Sequence, residues 1–271
     1  MSWDTVAPYN RGFREIAEAY DVLSFEDVHA DALRFLTPVP GIVLDVGAGS
    51  GRDADWFAAH GWQVVAVEPA TALREEATRR HPSALIRWID DRLPALAGVH
   101  RLGLGFDLIW LSGVWMHIPP EDRPRAMRKI ATLLRPGGRL MLTLRHGPAP
   151  PDRPMWPVDA NESERLGVEH GLALRVATER QEDRDGRTDI RWQTVILDLP
   201  DDGGGALPLP QHSADVGVID LLLHRDLPRG RDNVGFQPPP GLQTRSPDHD
   251  RFNLKPSWSS KSLKKSAIHA F

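Results

Sequence analysis

The sequence contains no cysteine among its 271 residues. This absence excludes disulfides, thiolate metal sites, iron–sulfur clusters and a cysteine nucleophile. No apolar run reaches the ~18 residues that a membrane-spanning helix needs, and the first residues lack the basic-then-apolar pattern of a secretory signal. We therefore expect a cytoplasmic protein. The net charge of −4 gives no general attraction to nucleic acid.

Lysine is scarce over most of the chain and then becomes frequent. Lys129 is the only lysine before Lys255, four lysines lie at 255–271, and the last glutamate is Glu182. The final part also contains Gly-rich and Pro-rich runs without a sustained apolar period, so it can bury little surface against the backbone entropy of ordering. We predict a compact domain at 1–200, including an N-terminal helical cap at 1–38, and a loosely ordered tail at 201–271.

Two further interpretations of the tail are open. Residues 251–271 contain five Lys/Arg, no acid and interleaved aromatic residues. Such a basic segment is more often a solvated tail, and the alternative is a nucleic-acid contact whose strength would fall with salt. The abrupt change of composition also suggests that the reading frame changed after about residues 215–225, a hypothesis that comparison of the coding DNA in all frames would test.

Apolar segments alternate with helical segments along the compact domain. The region 11–36 is predicted to be helical, and further helices are predicted from about 52, at 70–80, at 120–134 and around 161–170. Strands are predicted at 42–46, 63–67, 84–89, 106–111 and 140–144, with a turn at 135–138 before the fifth. Near-continuous apolar strands separated by helices indicate a doubly wound parallel α/β sheet covered on both faces. Segments 172–177 and 190–197 flank an Asp-Gly turn and predict a hairpin, so the last strand should run antiparallel.

The unusual polar and glycine residues follow the carboxyl ends of the predicted strands, where open parallel sheets bind ligands. Gly47, Gly49 and Gly51 follow the first strand, and Glu68 ends the second. Glycine lets a backbone approach a ligand closely, and a carboxylate at this spacing can accept both ribose hydroxyls. Arg52 stands where a dinucleotide fingerprint has its third glycine, which weakens an NAD interpretation, and no Gly-Lys-Ser/Thr is present for a P-loop.

Four segments, at 44–51, 65–69, 106–110 and 134–140, resemble in order the motifs of class I S-adenosylmethionine-dependent methyltransferases. The resemblance covers about residues 10–198. It implies a Rossmann-like, seven-stranded sheet whose seventh strand is antiparallel, with S-adenosylmethionine as the cofactor.

The resemblance also implies residue roles on the cofactor side. The glycine loop would line the methionine part, with Asp45 near its amino group; Glu68 would hold the ribose, and Asp90 or Asp91, with Asp91 preferred, would lie beside the adenine amino group. Ser112 would face cofactor or substrate. The cofactor-binding residues are thus predicted to be Asp45, Gly47, Ala48, Gly49, Gly51, Glu68, Pro69, Asp90, Asp91 and Ser112.

The acceptor side has one candidate base, His117, whose ordinary pKa near neutrality suits proton transfer. The alternative is a histidine that hydrogen-bonds the backbone and shapes its loop. Further acceptor-side candidates are Trp115 with Met116 as an apolar wall, and Arg145 and His146 after the fifth strand. Tyr9 and Arg14 lie in the segment that caps the cofactor in many relatives.

Methyl transfer is an in-line displacement, so the protein chiefly has to align the acceptor with the methyl group. The absence of an Asn/Asp-Pro-Pro-Tyr/Phe sequence after the fourth strand argues against amino methylation of adenine in nucleic acid, and no metal cluster is evident. A small molecule is the expected acceptor, with a protein side chain also open. An NAD-dependent oxidoreductase and a non-catalytic methyltransferase-like subunit are the competing interpretations, and the sequence does not indicate an oligomeric state.

Overall fold

A computed structural model describes residues 4–184 and 186–201. The predicted tail therefore lies, apart from its first residue, outside the described residues, and the boundary near 200 stays a prediction. The N-terminal part consists of α1 (Ala7–Arg11), α2 (Phe13–Asp21), α3 (Phe25–His29) and a 3₁₀ turn (Leu33–Phe35). The continuous helical region predicted at 11–36 is thus broken into short helices, because Gly12 ends α1 and the Ser24 side chain caps α3 by accepting from the Asp27 amide at 3.0 Å.

The remaining elements alternate as the sequence predicts. The strands are β1 (Ile42–Val46), β2 (Gln63–Val67), β3 (Ile86–Ile89), β4 (Phe106–Leu111), β5 (Leu134–His146), β6 (Ala173–Ala177), β7 (Gln181–Glu182) and β8 (Arg191–Asp198). The helices between them are α4 (Arg52–Ala59), α5 (Thr71–Arg80), α6 (Ala97–His100), α7 (Arg123–Leu133) and α8 (Ala160–Val168), with 3₁₀ turns at Trp115–His117 and Pro120–Asp122. No helix among these described residues is long and apolar enough to cross a membrane.

The sheet order is β3-β2-β1-β4-β5-β8-β6, and the two-residue β7 pairs with β8. Strands β1 to β5 are parallel, and β8 pairs antiparallel with both β5 and β6. The doubly wound α/β fold with an antiparallel last strand is therefore confirmed. The order reverses between β1 and β4, which is where open α/β sheets form a ligand crevice.

Several element boundaries differ by a few residues from the sequence prediction, and two of them concern strands of the parallel sheet. Strand β3 begins at Ile86 rather than at 84. The predicted turn at 135–138 is instead the irregular start of β5, where the Gly137 amide donates to the Leu199 carbonyl at 2.9 Å and the register with β4 shifts. The pairing of this segment with neighbouring backbone explains why its Pro-Gly-Gly signal did not produce a separate turn.

Both faces of the sheet are buried, as the apolar strands require. Ile42, Leu44 and Val46 pack into one core and Val43 into the other, because side chains alternate along β1. Asp45 lies on the same face of β1 as Val43 and is 1 % exposed. The sheet thus carries a buried carboxylate directly before the glycine loop.

The N-terminal helices pack across the carboxyl end of β2. Ala17 of α2 forms a small core with Leu73 of α5, with Tyr9 packed against it. The Asn10 side chain accepts from the Ala72 amide at 2.9 Å. This packing brings α1 over the crevice at the strand-order reversal.

Candidate active site

The glycine loop is tied to β2 by backbone hydrogen bonds. The amides of Gly47 and Ala48 both donate to the Val67 carbonyl, at 2.7 and 2.9 Å. Gly47 has φ +71°, and a Cβ added there would lie 2.5 Å from Val114 Cγ2. Only glycine therefore satisfies both the backbone conformation and the close approach of the loop that follows β4.

Glu68 lies against this loop. Its carboxylate accepts from the amides of Gly49 and Ala70, at 3.0 and 2.8 Å, and the residue is 6 % exposed. Burial raises the pKa of Glu68, although the two amide donors oppose that shift. The structure thus brings together the glycine loop and the acid at the tip of β2, and Glu68 braces the loop.

A cavity of about 220 Å³ opens beside the glycine loop. The predicted site residues that line it are Asp45, Gly47, Ala48, Gly49, Ser112, His117 and Arg145. The predicted site residues that are not among its lining are Gly51, Glu68, Pro69, Asp90, Asp91, Trp115 and His146. The cavity therefore joins the predicted methionine side of the cofactor site to the predicted acceptor side.

Asp45 carries the clearest sign of a missing cationic partner. Its Oδ2 is buried with no hydrogen-bond partner. Burial and the nearby charge of Asp53 raise the pKa of Asp45 well above its usual value. A buried unpaired carboxylate is costly, so an ammonium or sulfonium in the cavity would stabilise it. The buried Asp45 carboxylate therefore fits a cationic group of S-adenosylmethionine.

Asp53 is a second buried acid that the sequence analysis did not single out. Its carboxylate is bonded by His29 Nε2, Trp110 Nε1 and Arg52, at 2.9, 2.9 and 2.7 Å. Burial opposes its ionisation, but His29 and Arg52 lower the pKa of Asp53. Asp53 therefore joins α3, α4 and β4 at the cavity, and its charge is one of those that act on Asp45.

The two adjacent acids after β3, Asp90 and Asp91, make different contacts. Asp91 accepts from the amides of Arg92 and Val99, at 2.8 and 3.0 Å, so both of its oxygens are used in the local loop. Asp90 is exposed and forms an ion pair with Arg74 at 3.2 Å. Asp91 is therefore bound into its own loop, whereas Asp90 remains exposed; the choice between them as the partner for an adenine amino group stays a prediction.

His117 is held in one orientation by two hydrogen bonds. Its Nδ1 lies 3.0 Å from the Pro154 carbonyl, which can only accept, so Nδ1 carries the proton and Nε2 has the lone pair. Tyr9 Oη lies 3.0 Å from Nε2 and therefore donates to it. Burial, together with the charges of Arg153 and Arg145, lowers the pKa of His117. The ring is thus neutral near pH 7, with its basic nitrogen facing Tyr9 at the cavity.

Three of the sequence-predicted candidates lie elsewhere. Trp115 is wholly buried in the core, so it does not form the expected apolar wall, whereas its neighbour Met116 does line the cavity. His146 contacts the Gln193 side chain at 3.2 Å, and it points to the opposite face of β5 from Arg145 because side chains alternate. Arg14 is exposed, with its guanidinium 5.2 Å from the centre of the Phe13 ring.

Several cavity residues carried no sequence signal of their own. Thr143 lines the cavity two residues before Arg145 and accepts from the Gly113 amide at 2.8 Å. Because alternate residues of a strand share a face, Thr143 could have been predicted from Arg145. Arg153 comes from an irregular loop and reaches the cavity only through tertiary packing. In residues 4–184 and 186–201, no three His, Asp or Glu side chains cluster in a way that could hold a metal ion.

Known proteins resemble this chain in both sequence and fold. A family model for a methyltransferase domain matches residues 17–181. The chain is 35 % identical over 104 residues to Methyltransferase GfsG of Streptomyces halstedii, covering 37 % of this chain and 36 % of that protein. It is 34 % identical over 116 residues to the ubiquinone biosynthesis O-methyltransferase of Xanthomonas axonopodis pv. citri (strain 306), covering 42 % and 47 %. The matched parts thus span less than half the length of these curated relatives.

Among solved structures, the chain is similar to the 1,6-didemethyltoxoflavin-N1-methyltransferase of Burkholderia thailandensis, whose structure contains S-adenosylhomocysteine. The TM-score is 0.50 and the identity 19 %, over 74 % of this chain and 93 % of that one. This likeness shows the fold, while the family model covers more than half of the chain. The chain therefore belongs to a methyltransferase-domain family and has the Rossmann-like fold of the class I S-adenosylmethionine-dependent methyltransferases.

Proposed function

We propose that this protein transfers a methyl group from S-adenosylmethionine to a small-molecule acceptor. The observation that carries the proposal is the single cavity shared by the glycine loop, the unpartnered Asp45 carboxylate and the oriented His117 ring. The similarity to an O-methyltransferase of ubiquinone biosynthesis supports a small acceptor.

The cofactor would supply an electrophilic methyl group on a positively charged sulfur. Asp45 would accept from the ammonium group of the methionine part, and Gly47 and Gly49 would let the backbone approach it. Glu68 and Asp90 are proposed for the ribose hydroxyls and the adenine amino group. These residues align the donor, which is the main requirement of an in-line displacement.

Tyr9 and His117 are proposed to move the proton. As the acceptor oxygen or nitrogen forms its bond to the methyl carbon, its proton passes to Tyr9 Oη, and the Tyr9 proton passes to His117 Nε2. Burial raises the pKa of Tyr9 well above its usual value, so Tyr9 stays protonated between turnovers. The carbon–sulfur bond breaks with its electron pair on sulfur, and His117 ends as the imidazolium.

Calorimetric titration with S-adenosylhomocysteine tests the donor side, because the product keeps the ammonium group. We expect Asp45→Asn to weaken binding about tenfold, as expected for the loss of a charge-assisted hydrogen bond. Since the pKa of free Asp45 is raised and a cation favours its ionised form, binding should release a proton and strengthen as pH rises through that titration. Both pH effects should disappear in Asp45→Asn.

Asp31→Asn is the matched control, because Asp31 also lines the cavity but already accepts from Thr194 Oγ1 at 2.9 Å. Its affinity should change less than threefold. Absence of S-adenosylhomocysteine binding to the wild-type protein, or measurable binding of NAD in its place, would reject the proposed function.

A further inference from the structure

The charged side chains at the cavity are mainly acidic near the glycine loop and mainly basic near Arg145. On the glycine side, the charges acting on Asp45 are those of Asp53, Arg52 and Glu68. On the other side, burial and the charges of Arg187 and Arg153 lower the pKa of Arg145, while Asp183 and Asp189 oppose that shift. We refer to Arg145 and Arg153 as the arginine pair; both line the cavity next to His117.

Arg145 is built into the wall of the cavity rather than extended into solvent. It is 9 % exposed on β5, where its backbone pairs with Trp192 of β8. Its guanidinium donates to the Pro148 carbonyl at 2.9 Å. No carboxylate of residues 4–184 or 186–201 lies within 4.0 Å of that guanidinium in an ion pair. A buried guanidinium without a carboxylate is costly, and burial correspondingly lowers the pKa of Arg145.

Arg153 shows a similar deficit. Its Nε is buried without a hydrogen-bond partner, and its ion pair with Asp152, at 3.8 Å, involves a largely exposed carboxylate. Two guanidinium groups on one cavity repel each other. That repulsion would be relieved by an anion placed between them.

The acids near the arginine pair are already used. Asp183 accepts from Arg187 at 2.7 Å and from Trp192 Nε1 at 2.8 Å, and Asp31 accepts from Thr194. Glu182 is exposed, at 3.9 Å from Arg191. Asp183 and Asp189 oppose the lowering of the Arg145 pKa through their charges, but among the described residues neither forms an ion pair with Arg145 within 4.0 Å.

We propose that the arginine pair binds an anionic group of the methyl acceptor, a carboxylate or a phosphate on a small molecule. This inference rests on the proposed function in one respect: it takes this end of the cavity to be the acceptor side. Guanidinium groups match these oxyanions in shape and charge. The anion also offsets the positive charge that His117 gains when it takes the proton, so binding and proton transfer act in the same direction.

The test uses three probes, benzoate, phenyl phosphate and the neutral benzamide, titrated calorimetrically at constant ionic strength. Wild type, Arg145→Gln and Arg153→Gln are compared, with the exposed Arg101→Gln as the control, in the presence and absence of S-adenosylhomocysteine. We expect at least one anion to bind the wild type and Arg101→Gln equally. Each cavity variant should bind it about tenfold more weakly, and benzamide should bind at least tenfold more weakly than benzoate. The preference between benzoate and phenyl phosphate identifies the anion.

Arg145 is buried, so thermal unfolding is measured alongside, and Arg145→Lys should restore part of the anion affinity if charge is what matters. The half-buried Arg153 gives an independent measurement should Arg145→Gln not fold. Equal anion affinity in all variants, benzamide binding as tightly as benzoate, or no anion binding at all would overturn this inference. Binding of S-adenosylhomocysteine without any anion would reject the arginine pair alone, whereas anion binding without S-adenosylhomocysteine would reject the proposed function instead.

Discussion

Replacement of His117 by alanine is expected to lower kcat by about 10²- to 10⁴-fold, the usual contribution of a positioned general base. The reason is the fixed orientation of the ring, whose Nδ1 donates to the Pro154 carbonyl and whose Nε2 accepts from Tyr9. Removal of the ring takes away the basic nitrogen that accepts from Tyr9 Oη. Turnover is measured with labelled methyl donor and an acceptor found by screening small carboxylates and phosphates.

The variant His117→Asn distinguishes proton transfer from a purely structural role. An asparagine amide can still donate to the Pro154 carbonyl, but it has no basic nitrogen. We expect His117→Asn to fold normally and to lose as much activity as His117→Ala, while Tyr9→Phe lowers kcat with little change in KM. His170→Asn, outside the cavity, is the control. Retention of wild-type turnover by His117→Asn would show that the ring only shapes its loop.

The pH dependence of kcat is an independent test of the role of His117. A general base works in its neutral form, so activity should be lost as pH falls through the pKa of His117. Burial and the charges of Arg153 and Arg145 lower that pKa, while Tyr9 donates to the neutral ring. The acid limb of kcat should therefore lie below the ordinary histidine value of about 6.5, and it should be absent in His117→Asn.

Replacement of Gly47 by alanine is expected to abolish most cofactor binding. The residue has φ +71° and its new Cβ would lie 2.5 Å from Val114 Cγ2. Left-handed strain of about 1–2 kcal/mol adds to overpacking of about 1–3 kcal/mol, and relief requires the glycine loop or the loop after β4 to move. We expect the affinity for S-adenosylhomocysteine to fall about 100-fold, or about 3 kcal/mol, together with a lower free energy of unfolding.

Gly103→Ala separates these two causes. Gly103 has φ +66° but no atom within 4 Å of an added Cβ, so the substitution carries the backbone strain without the steric conflict. It should destabilise the fold by about 1–2 kcal/mol and leave the affinity for S-adenosylhomocysteine unchanged. If Gly47→Ala and Gly103→Ala had the same effect on both measurements, the close approach of Val114 would have no functional importance.

The glycine loop and the position of Glu68 beside it were predictable from the sequence because their signals are local. An apolar strand followed by spaced glycines specifies a strand, a tight loop and a helix start within about a dozen residues, and Glu68 follows from the next strand end. The division of tasks between Asp90 and Asp91 was not predictable, since it depends on which carboxylate the Arg92 and Val99 amides reach.

The part of the cavity around His117 was predicted less completely because it is assembled from distant segments. Tyr9 contacts a residue 108 positions away, and Arg153 arrives on a loop without regular structure. The expected wall residue Trp115 belongs to the core because the 3₁₀ turn after β4 directs it inward. A sequence pattern reports the face of a regular strand or helix, and it reports little about a side chain on a short turn.

The separation of the two charged groups has a consequence for engineering. The carboxylate that suits the donor precedes the glycine loop in β1, whereas Arg145 and Arg153 belong to the end of β5 and to the segment after it. A chimera that exchanged only residues 147–159 with those of another family member would keep the donor side intact. Such grafts offer a route to altered acceptor selectivity in which the affinity for S-adenosylhomocysteine serves as an internal standard.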